Sequence, residues 1–131
     1  MAKPIICLDT SVLIDYFRKE NKSKTFFFKL AKNYRFAISV LTKFEILVGS
    51  NEQQKEFWEE LFRKFKIIPL GEEEVEIASE IIKKLRPQNK LIELPDIFIG
   101  ATALTHGLKV ATLNETHFER IESLSLIINK G

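Results

Sequence analysis

Short apolar runs that alternate with segments of helical periodicity are the feature that most restricts how this chain can fold. The first run, residues 5–8, is Ile-Ile-Cys-Leu and contains no polar side chain. A strand of this kind is buried on both faces, as strands of parallel sheets are. Four later runs predict further strands: 36–38, 67–70, 109–112 and 124–128.

The segments between these runs repeat apolar residues at helical spacing and have helix-capping residues at their ends. Ser39 begins one such segment and Gly49 ends it, while Pro95 suits the first turn of another that ends at Gly107. Helices are predicted over 23–33, 39–48, 72–86 and 95 to about 106, with another beginning at Asp9-Thr10-Ser11 and another capped by Ser50 or Asn51. Strands alternating with helices predict a three-layer α/β sandwich around a central, mainly parallel sheet of about five short strands. A length of 131 residues fits a single domain spanning 1–131.

Composition excludes several other classes of protein. One cysteine, Cys7, rules out an internal disulfide, and the sequence has no Cys/His cluster of the zinc-binding kind. No apolar run approaches the roughly 18 residues of a membrane helix, and Asp9 interrupts the first run too early for a signal peptide. We therefore expect a soluble cytoplasmic protein without a membrane partner.

Charge is unevenly distributed, although the net charge is only +2. Residues 1–35 contain eight Lys or Arg against three Asp or Glu. Arg18, Lys19 and Lys22 belong to this excess and are candidates for binding the phosphates of RNA. From charge alone, a solvated helix face explains the same pattern equally well.

Three carboxylates occupy positions that folding alone would rarely select. Asp9 directly follows the first strand, and ligands of open α/β folds bind at the carboxyl ends of strands. Glu45 shares a helix face with Leu41 and Val48, and a buried carboxylate needs a cation, a hydrogen-bond network or a proton. Asp96 lies in the first turn of a helix, one turn before a small residue that would allow close approach by another segment or a ligand.

Each carboxylate also has a simpler explanation when taken alone. Asp9 can cap a helix, Glu45 can reach solvent from the edge of its stripe, and Asp96 can favour the helix dipole. Together the three indicate an oxygen-rich site that suits Mg²⁺ or Mn²⁺. Such ions activate water and stabilise the attacking and leaving oxygens of a phosphodiester.

Four segments of the chain resemble, in order, the motifs of PIN-domain proteins and particularly of the VapC-type toxin ribonucleases. They are ICLDTSVLID at 6–15, the stretch 38–49 that contains TKFEILVG, LPDIFIGATAL at 94–104 and VATLNETHF at 110–118. Each motif alone is weak, but the ordered set spans nearly the whole chain. The resemblance implies an endoribonuclease that hydrolyses RNA with metal-activated water and acts as the toxin of a toxin–antitoxin pair.

The same resemblance assigns roles to individual residues. It implies that Asp9, Glu45 and Asp96 are metal ligands and that the hydroxyl of Thr10 orients the site. The fourth position of the site, often Asp in the family, is Asn114 here. The resemblance also implies a homodimer and a small antitoxin partner. We expect His106 and His117, in contrast, to be a helix-end residue and a loop residue rather than ligands.

Three alternatives compete with this interpretation. A PIN-like RNA-binding or scaffold module with a degenerate site stays open because Asn114 replaces an acid. A phosphatase of the haloacid-dehalogenase type also has an Asp after its first strand, but it typically needs a second Asp where Ser11 stands. A Rossmann nucleotide binder is disfavoured because no glycine-rich loop follows the first strand.

Overall fold

A computed structural model describes residues 2–130 and contains one sheet of five parallel strands. Along the chain the strands are β1 (Ile5–Leu8), β2 (Arg35–Ser39), β3 (Lys66–Ile68), β4 (Val110–Thr112) and β5 (Leu126–Ile128). Across the sheet their order is β3-β2-β1-β4-β5, so that β1 lies at the centre. The predicted α/β sandwich is therefore confirmed, and its sheet is parallel throughout the described residues rather than mainly parallel.

In the part of the chain that the structure describes, seven α-helices connect and flank the strands. They are α1 (Thr10–Arg18), α2 (Phe26–Ala31), α3 (Val40–Gly49), α4 (Lys55–Arg63), α5 (Glu72–Leu85), α6 (Leu94–His106) and α7 (Glu115–Phe118). Within residues 2–130, no helix combines the length and the apolar character needed to cross a membrane.

Two predicted helices begin later than the sequence pattern suggests. The segment predicted as 23–33 opens with a single 3-10 turn, Lys22–Lys24, and α2 starts only after Thr25. The hydroxyl of Thr25 accepts a hydrogen bond from the backbone nitrogen of Phe28 at 3.3 Å, which caps α2 at this point. Likewise, a 3-10 turn at Glu52–Gln54 precedes α4.

The side chains of β1 alternate between two hydrophobic cores on opposite faces of the sheet. Ile6 and Leu8 pack in the core formed with α1 to α4, whereas Cys7 packs in the core formed with α5 to α7. Burial, followed by the nearby negative charge of Asp9, raises the pKa of the Cys7 thiol to about 12. Cys7 thus stays neutral and acts as a small hydrophobic residue of the core.

The connections place a topological switch point between β1 and β4. From β1 the chain proceeds to β2 and β3 on one side, and it then returns to β4 and β5 on the other. Just beyond β1, the backbone nitrogen of Asp9 donates to the carbonyl oxygen of Ala111 in β4 at 3.0 Å. In open α/β sheets such a point leaves a crevice at the carboxyl ends of the strands, where ligands bind.

The small residue one turn after Asp96 allows a chain segment to approach α6. A Cβ atom added to Gly100 would lie 2.5 Å from Cδ1 of Ile121. The close approach predicted at this position is therefore made by residues following α7, which pack against α6.

Candidate functional site

Asp9, Glu45 and Asp96 line one open cavity of about 620 Å³ at the carboxyl edge of the sheet. Asp9 follows β1, Glu45 lies in the middle of α3, and Asp96 lies in the first turn of α6. These segments are far apart in the sequence, and the parallel sheet brings them to the same edge. The other residues that line the cavity are Thr10, Ser11, Ile14, Asp15, Arg18, Lys19, Glu93, Asn114 and His117.

Two hydroxyl groups hold the buried carboxylate of Asp9 at the same oxygen. Ser11 donates to Oδ2 at 2.6 Å, and Thr112 donates to Oδ2 at 2.9 Å. The same hydroxyls accept hydrogen bonds from the backbone nitrogens of Leu113 and Asn114, at 3.1 and 2.8 Å respectively. The loop after β4 is therefore fastened to the carboxylate that follows β1.

Glu45 is oriented by the hydroxyl of Thr10. The Oγ1 atom of Thr10 lies 2.9 Å from Oε1 of Glu45 and 3.1 Å from Oγ1 of Thr42, a buried residue of α3. Lys43, two residues before Glu45, has its Nζ atom 5.6 Å from the ring centroid of Phe62. This lysine is thus directed toward α4.

Asp96 is half-buried and contacts a histidine of α7. The Nδ1 atom of His117 lies 3.1 Å from Oδ2 of Asp96. Burial, followed by the negative charge of Asp9, raises the pKa of the Asp96 carboxyl above its ordinary value, and Glu45 adds to this effect. The hydrogen bond and the charge of His117 act in the opposite direction.

Each of the three carboxylates has one oxygen that receives no hydrogen bond from residues 2–130. These oxygens are Oδ1 of Asp9, Oε2 of Glu45 and Oδ1 of Asp96. Since no side-chain oxygen of the described, non-exposed residues is both buried and unpartnered, all three reach solvent. Hard oxygen donors in a shared negative field are the chemistry that Mg²⁺ and Mn²⁺ prefer.

The donors nevertheless do not form a closed coordination cage. Within residues 2–130, no group of three His, Cys, Asp or Glu side chains is arranged tightly enough to hold a metal ion. An open cavity with three carboxylates suits an ion that keeps several waters and shares ligands with a substrate phosphate. The residues present therefore fit a hydrated divalent cation better than a fully enclosed one.

Asn114 follows β4 and stands at the rim of the same cavity. It is exposed and occupies the N-cap position of α7, but its side chain makes no capping hydrogen bond there. The side chain of Asn114 thus does not stabilise the start of α7.

The three predicted RNA-binding cations have different surroundings. Arg18 and Lys19 line the cavity, and Lys19 pairs with Asp15 at 3.1 Å. The Nζ atom of Lys22 instead donates to the carbonyl oxygens of Tyr16, Phe17 and Lys19 at 2.6 to 2.8 Å. Lys22 thus caps the C-terminal end of α1 and does not line the cavity.

Sequence reasoning missed three residues that contact the carboxylates: Ser11, Thr112 and His117. The sequence pattern assigns no contact to Ser11 or Thr112, and it predicts His117 in a loop. The signal available for His117 was its spacing of three residues from Asn114, which places both on one face if a helix follows β4. No local pattern indicates that this face turns toward Asp96.

The sequence is similar to those of a known protein family. The PIN domain family matches residues 6–124. A protein named Ribonuclease VapC1 from Methanocaldococcus jannaschii is 34% identical over 124 residues, covering 94% of this chain and 85% of that protein.

Solved structures show the same fold. The structure of VapBC2 from Rickettsia felis bound to a promoter DNA fragment contains a chain that superposes with a TM-score of 0.83 at 22% identity, covering 96% of this chain and 99% of that one. A toxin-antitoxin complex from Klebsiella pneumoniae contains a chain with a TM-score of 0.75 at 26% identity, covering 93% and 95% respectively.

Proposed function

Because the chain belongs to the PIN-domain family, we propose that it is an endoribonuclease that hydrolyses RNA phosphodiester bonds with metal-activated water. The observation that carries this proposal is the convergence of three carboxylates on one open cavity at the switch point of the sheet. The relative from Methanocaldococcus jannaschii, which is named a ribonuclease, supports the same reaction.

Asp9, Glu45 and Asp96 would hold the divalent cation, Mg²⁺ or Mn²⁺. When bound, such an ion lowers the pKa of water and neutralises charge on the oxygens of the phosphodiester. The chain's own contribution is to hold the three carboxylates in place. Ser11 and Thr112 do so for the first, and Thr10 does so for the second.

Asn114 would make a weaker contribution than the carboxylates. Its amide oxygen can ligate a hard cation, and its NH₂ group can hold a water molecule, but it supplies no net negative charge. Asn114→Ala should therefore reduce cleavage less than Asp96→Ala does, and Asn114→Asp should tighten metal binding. Equal metal affinity in wild type and both Asn114 variants would remove this residue from the site.

Arg18 and Lys19 would bind the RNA backbone beside the reacting phosphate. Both stand at the end of α1 and line the cavity with the carboxylates. Lys19 shares its charge with Asp15, so we expect Arg18 to contribute more. Arg18→Met should weaken RNA binding and flatten its dependence on salt concentration. An unchanged salt dependence would identify the basic excess as a solvated face only.

The decisive experiment measures RNA cleavage with Mg²⁺, with Mn²⁺ and with chelator, comparing Glu45→Gln with Glu59→Gln. Glu59 lies in α4 and does not line the cavity, so its substitution controls for loss of one negative charge. The cleavage rate of Glu45→Gln should fall further than the loss of about 10- to 100-fold that is typical when a residue supporting a metal ligand is removed. Asp9→Asn should behave in the same way.

Two results would contradict the proposal. Cleavage that persists in chelator would exclude the metal-dependent reaction. RNA binding without cleavage in any metal would instead favour the non-catalytic PIN-like module. The haloacid-dehalogenase alternative loses its support because the family match over residues 6–124 is to the PIN domain.

We further propose that the protein is the toxin of a toxin–antitoxin pair and forms a homodimer. The similarity to a chain of a toxin-antitoxin complex supports the antitoxin partner. Helix α3 exposes large apolar side chains, with Phe44 62% and Val48 69% exposed, which supports an additional protein interface. Light scattering of wild type and Phe44→Glu tests the homodimer, which a monomeric wild type would exclude.

A further inference from the structure

Asp96 differs from Asp9 and Glu45 because its hydrogen-bond partner among the described residues is not a hydroxyl group. Its Oδ2 atom lies 3.1 Å from Nδ1 of His117, whereas the hydrogen bonds to Asp9 and Glu45 come from hydroxyls. An ionised carboxylate only accepts hydrogen bonds, so Nδ1 of the neutral or charged imidazole must carry the proton in this pair. The contact therefore selects both the tautomer of the histidine and the orientation of the carboxylate.

The backbone around His117 is fixed by hydrogen bonds and by the burial of the next residue, so the position of the imidazole is restricted. The next residue, Phe118, is completely buried in the core shared with α5 and α6. The backbone nitrogens of His117 and Phe118 both donate to the carbonyl oxygen of Asn114, at 3.1 and 3.4 Å. The imidazole thus extends from an anchored turn, while 42% of its side chain stays exposed at the cavity.

We propose that His117 is a positioning residue for the metal site: its Nδ1 atom holds Oδ2 of Asp96 so that Oδ1 is presented to the ion. The inference rests on the proposed metal-dependent function and adds a residue that the PIN-type motif comparison did not assign. Without the histidine, the carboxylate in the first turn of α6 would rotate among several orientations. Ordering this carboxylate would then cost conformational entropy and weaken metal binding.

The chain supplies a matched control in its other histidine. His106 also pairs with a carboxylate, through Nε2 at 3.3 Å from Oε2 of Glu74, and 39% of its side chain is exposed. This pair joins the end of α6 to the start of α5 and does not line the cavity. His106→Ala therefore removes a histidine–carboxylate pair of similar exposure without touching the proposed site.

The experiment compares wild type, His117→Ala, His117→Asn and His106→Ala. Calorimetry without RNA gives the Kd for Mn²⁺, and cleavage assays at limiting and saturating Mn²⁺ give kcat and KM for RNA. His117→Ala should weaken Mn²⁺ binding about 10-fold or more, the range found when support of a metal ligand is lost. Saturating Mn²⁺ should restore most of kcat, while KM for RNA stays unchanged.

His117→Asn should rescue metal binding, because its side-chain NH₂ group takes the place of Nδ1–H. His106→Ala should bind Mn²⁺ as wild type does. An unchanged Kd in His117→Ala, a tighter Kd, or an equal loss in the Ala and Asn variants would overturn the inference while leaving the proposed function intact. A wild type that binds no Mn²⁺ and cleaves no RNA would overturn both.

Discussion

At the scale of single residues, neutral hydroxyls hold two of the three site carboxylates. Ser11 and Thr112 donate to Asp9, and Thr10 donates to Glu45. A lysine or arginine in the same place would neutralise the carboxylates and compete with a bound cation. Hydroxyl donors orient the oxygens and leave their negative charge available. Orientation and charge are thus controlled separately in this site.

Thr10→Val tests this division because it removes the hydroxyl and keeps the shape of the side chain. Glu45 loses its donor, so we expect Mn²⁺ binding to weaken about 10-fold. Metal-free stability should fall by about 2 kcal/mol, because the hydroxyl also contacts Thr42 and its bond to Glu45 involves a charged group. Calorimetry and urea unfolding measure the two quantities.

Thr105→Val is the control for Thr10→Val. Its hydroxyl donates to the carbonyl oxygen of Ala101 within α6, away from the cavity. A loss of Mn²⁺ affinity in Thr105→Val as large as that in Thr10→Val would remove the special role of Thr10.

At the scale of elements, two helix ends depend on residues outside the helix. Lys22 donates to three carbonyl oxygens near the end of α1, where its ammonium group also lies 5.2 Å from the ring centroid of Tyr16. Cations at a helix C-terminus are favourable because they satisfy carbonyls and oppose the dipole. The ammonium group of Lys22 therefore stabilises the C-terminal end of α1.

Lys22→Met should lower the free energy of unfolding by about 2 kcal/mol, as expected for lost hydrogen bonds to a charged group. Methionine retains the apolar stem, so the change isolates the ammonium group. Lys24→Met, in the same 3-10 turn but exposed, should leave stability nearly unchanged. Urea unfolding of both variants decides this, and equal stabilities would show that the cap contributes nothing.

The end of α6 depends on the backbone freedom of Gly107, which has φ of +65°. A Cβ added there meets no atom within 4 Å, so Gly107→Ala probes conformational strain alone. We expect a loss of about 1 kcal/mol, because side chains other than glycine are disfavoured in the left-handed region. Gly49→Ala, which is equally free of contacts and lies in the last turn of α3, should be neutral or stabilising. Thermal unfolding that ranks the two variants in the opposite order would contradict this account.

At the scale of the whole molecule, the fold gathers like charges at its switch point. The pKa of Asp96 is raised by burial and then by Asp9, so its ionised form is disfavoured in the metal-free fold. The stability that this carboxyl contributes is present below its unfolded pKa and is lost as pH rises through its raised folded pKa. The ionised Asp96 carboxyl therefore lowers the stability of the metal-free protein at neutral pH.

Asp96→Asn should accordingly be more stable than wild type in chelator at about pH 7, and its advantage should shrink toward about pH 4, the ordinary pKa of Asp. Added Mn²⁺ should raise the Tm of wild type through binding linkage and leave that of the variant unchanged. Asp15→Asn is the control, since Asp15 lines the same cavity but already pairs with Lys19. A destabilised Asp96→Asn variant in chelator at about pH 7 would contradict the charge argument.

Local pattern was enough to predict the strands and most helices, because apolar periodicity and capping residues act over a few positions. The five strands lie where apolar runs occur, and α6 ends at Gly107 as its left-handed conformation requires. The short helix α7 was not predicted, since four residues carry too little periodicity to be recognised. Local position also indicated the three acids as site candidates: Asp9 follows a strand, Glu45 shares a helix face with apolar residues, and Asp96 lies at the start of a helix.

The contacts among those acids were decided by the tertiary structure. Strand order placed β4 beside β1, and this alone brought Thr112 to Asp9 across 103 positions of sequence. The pairing of His117 with Asp96 likewise depends on how α7 packs against α6. The sequence by itself determined which side chains are candidates for a site, since residue type and local position indicate them. Their partners depended on long-range packing, which no local pattern encodes.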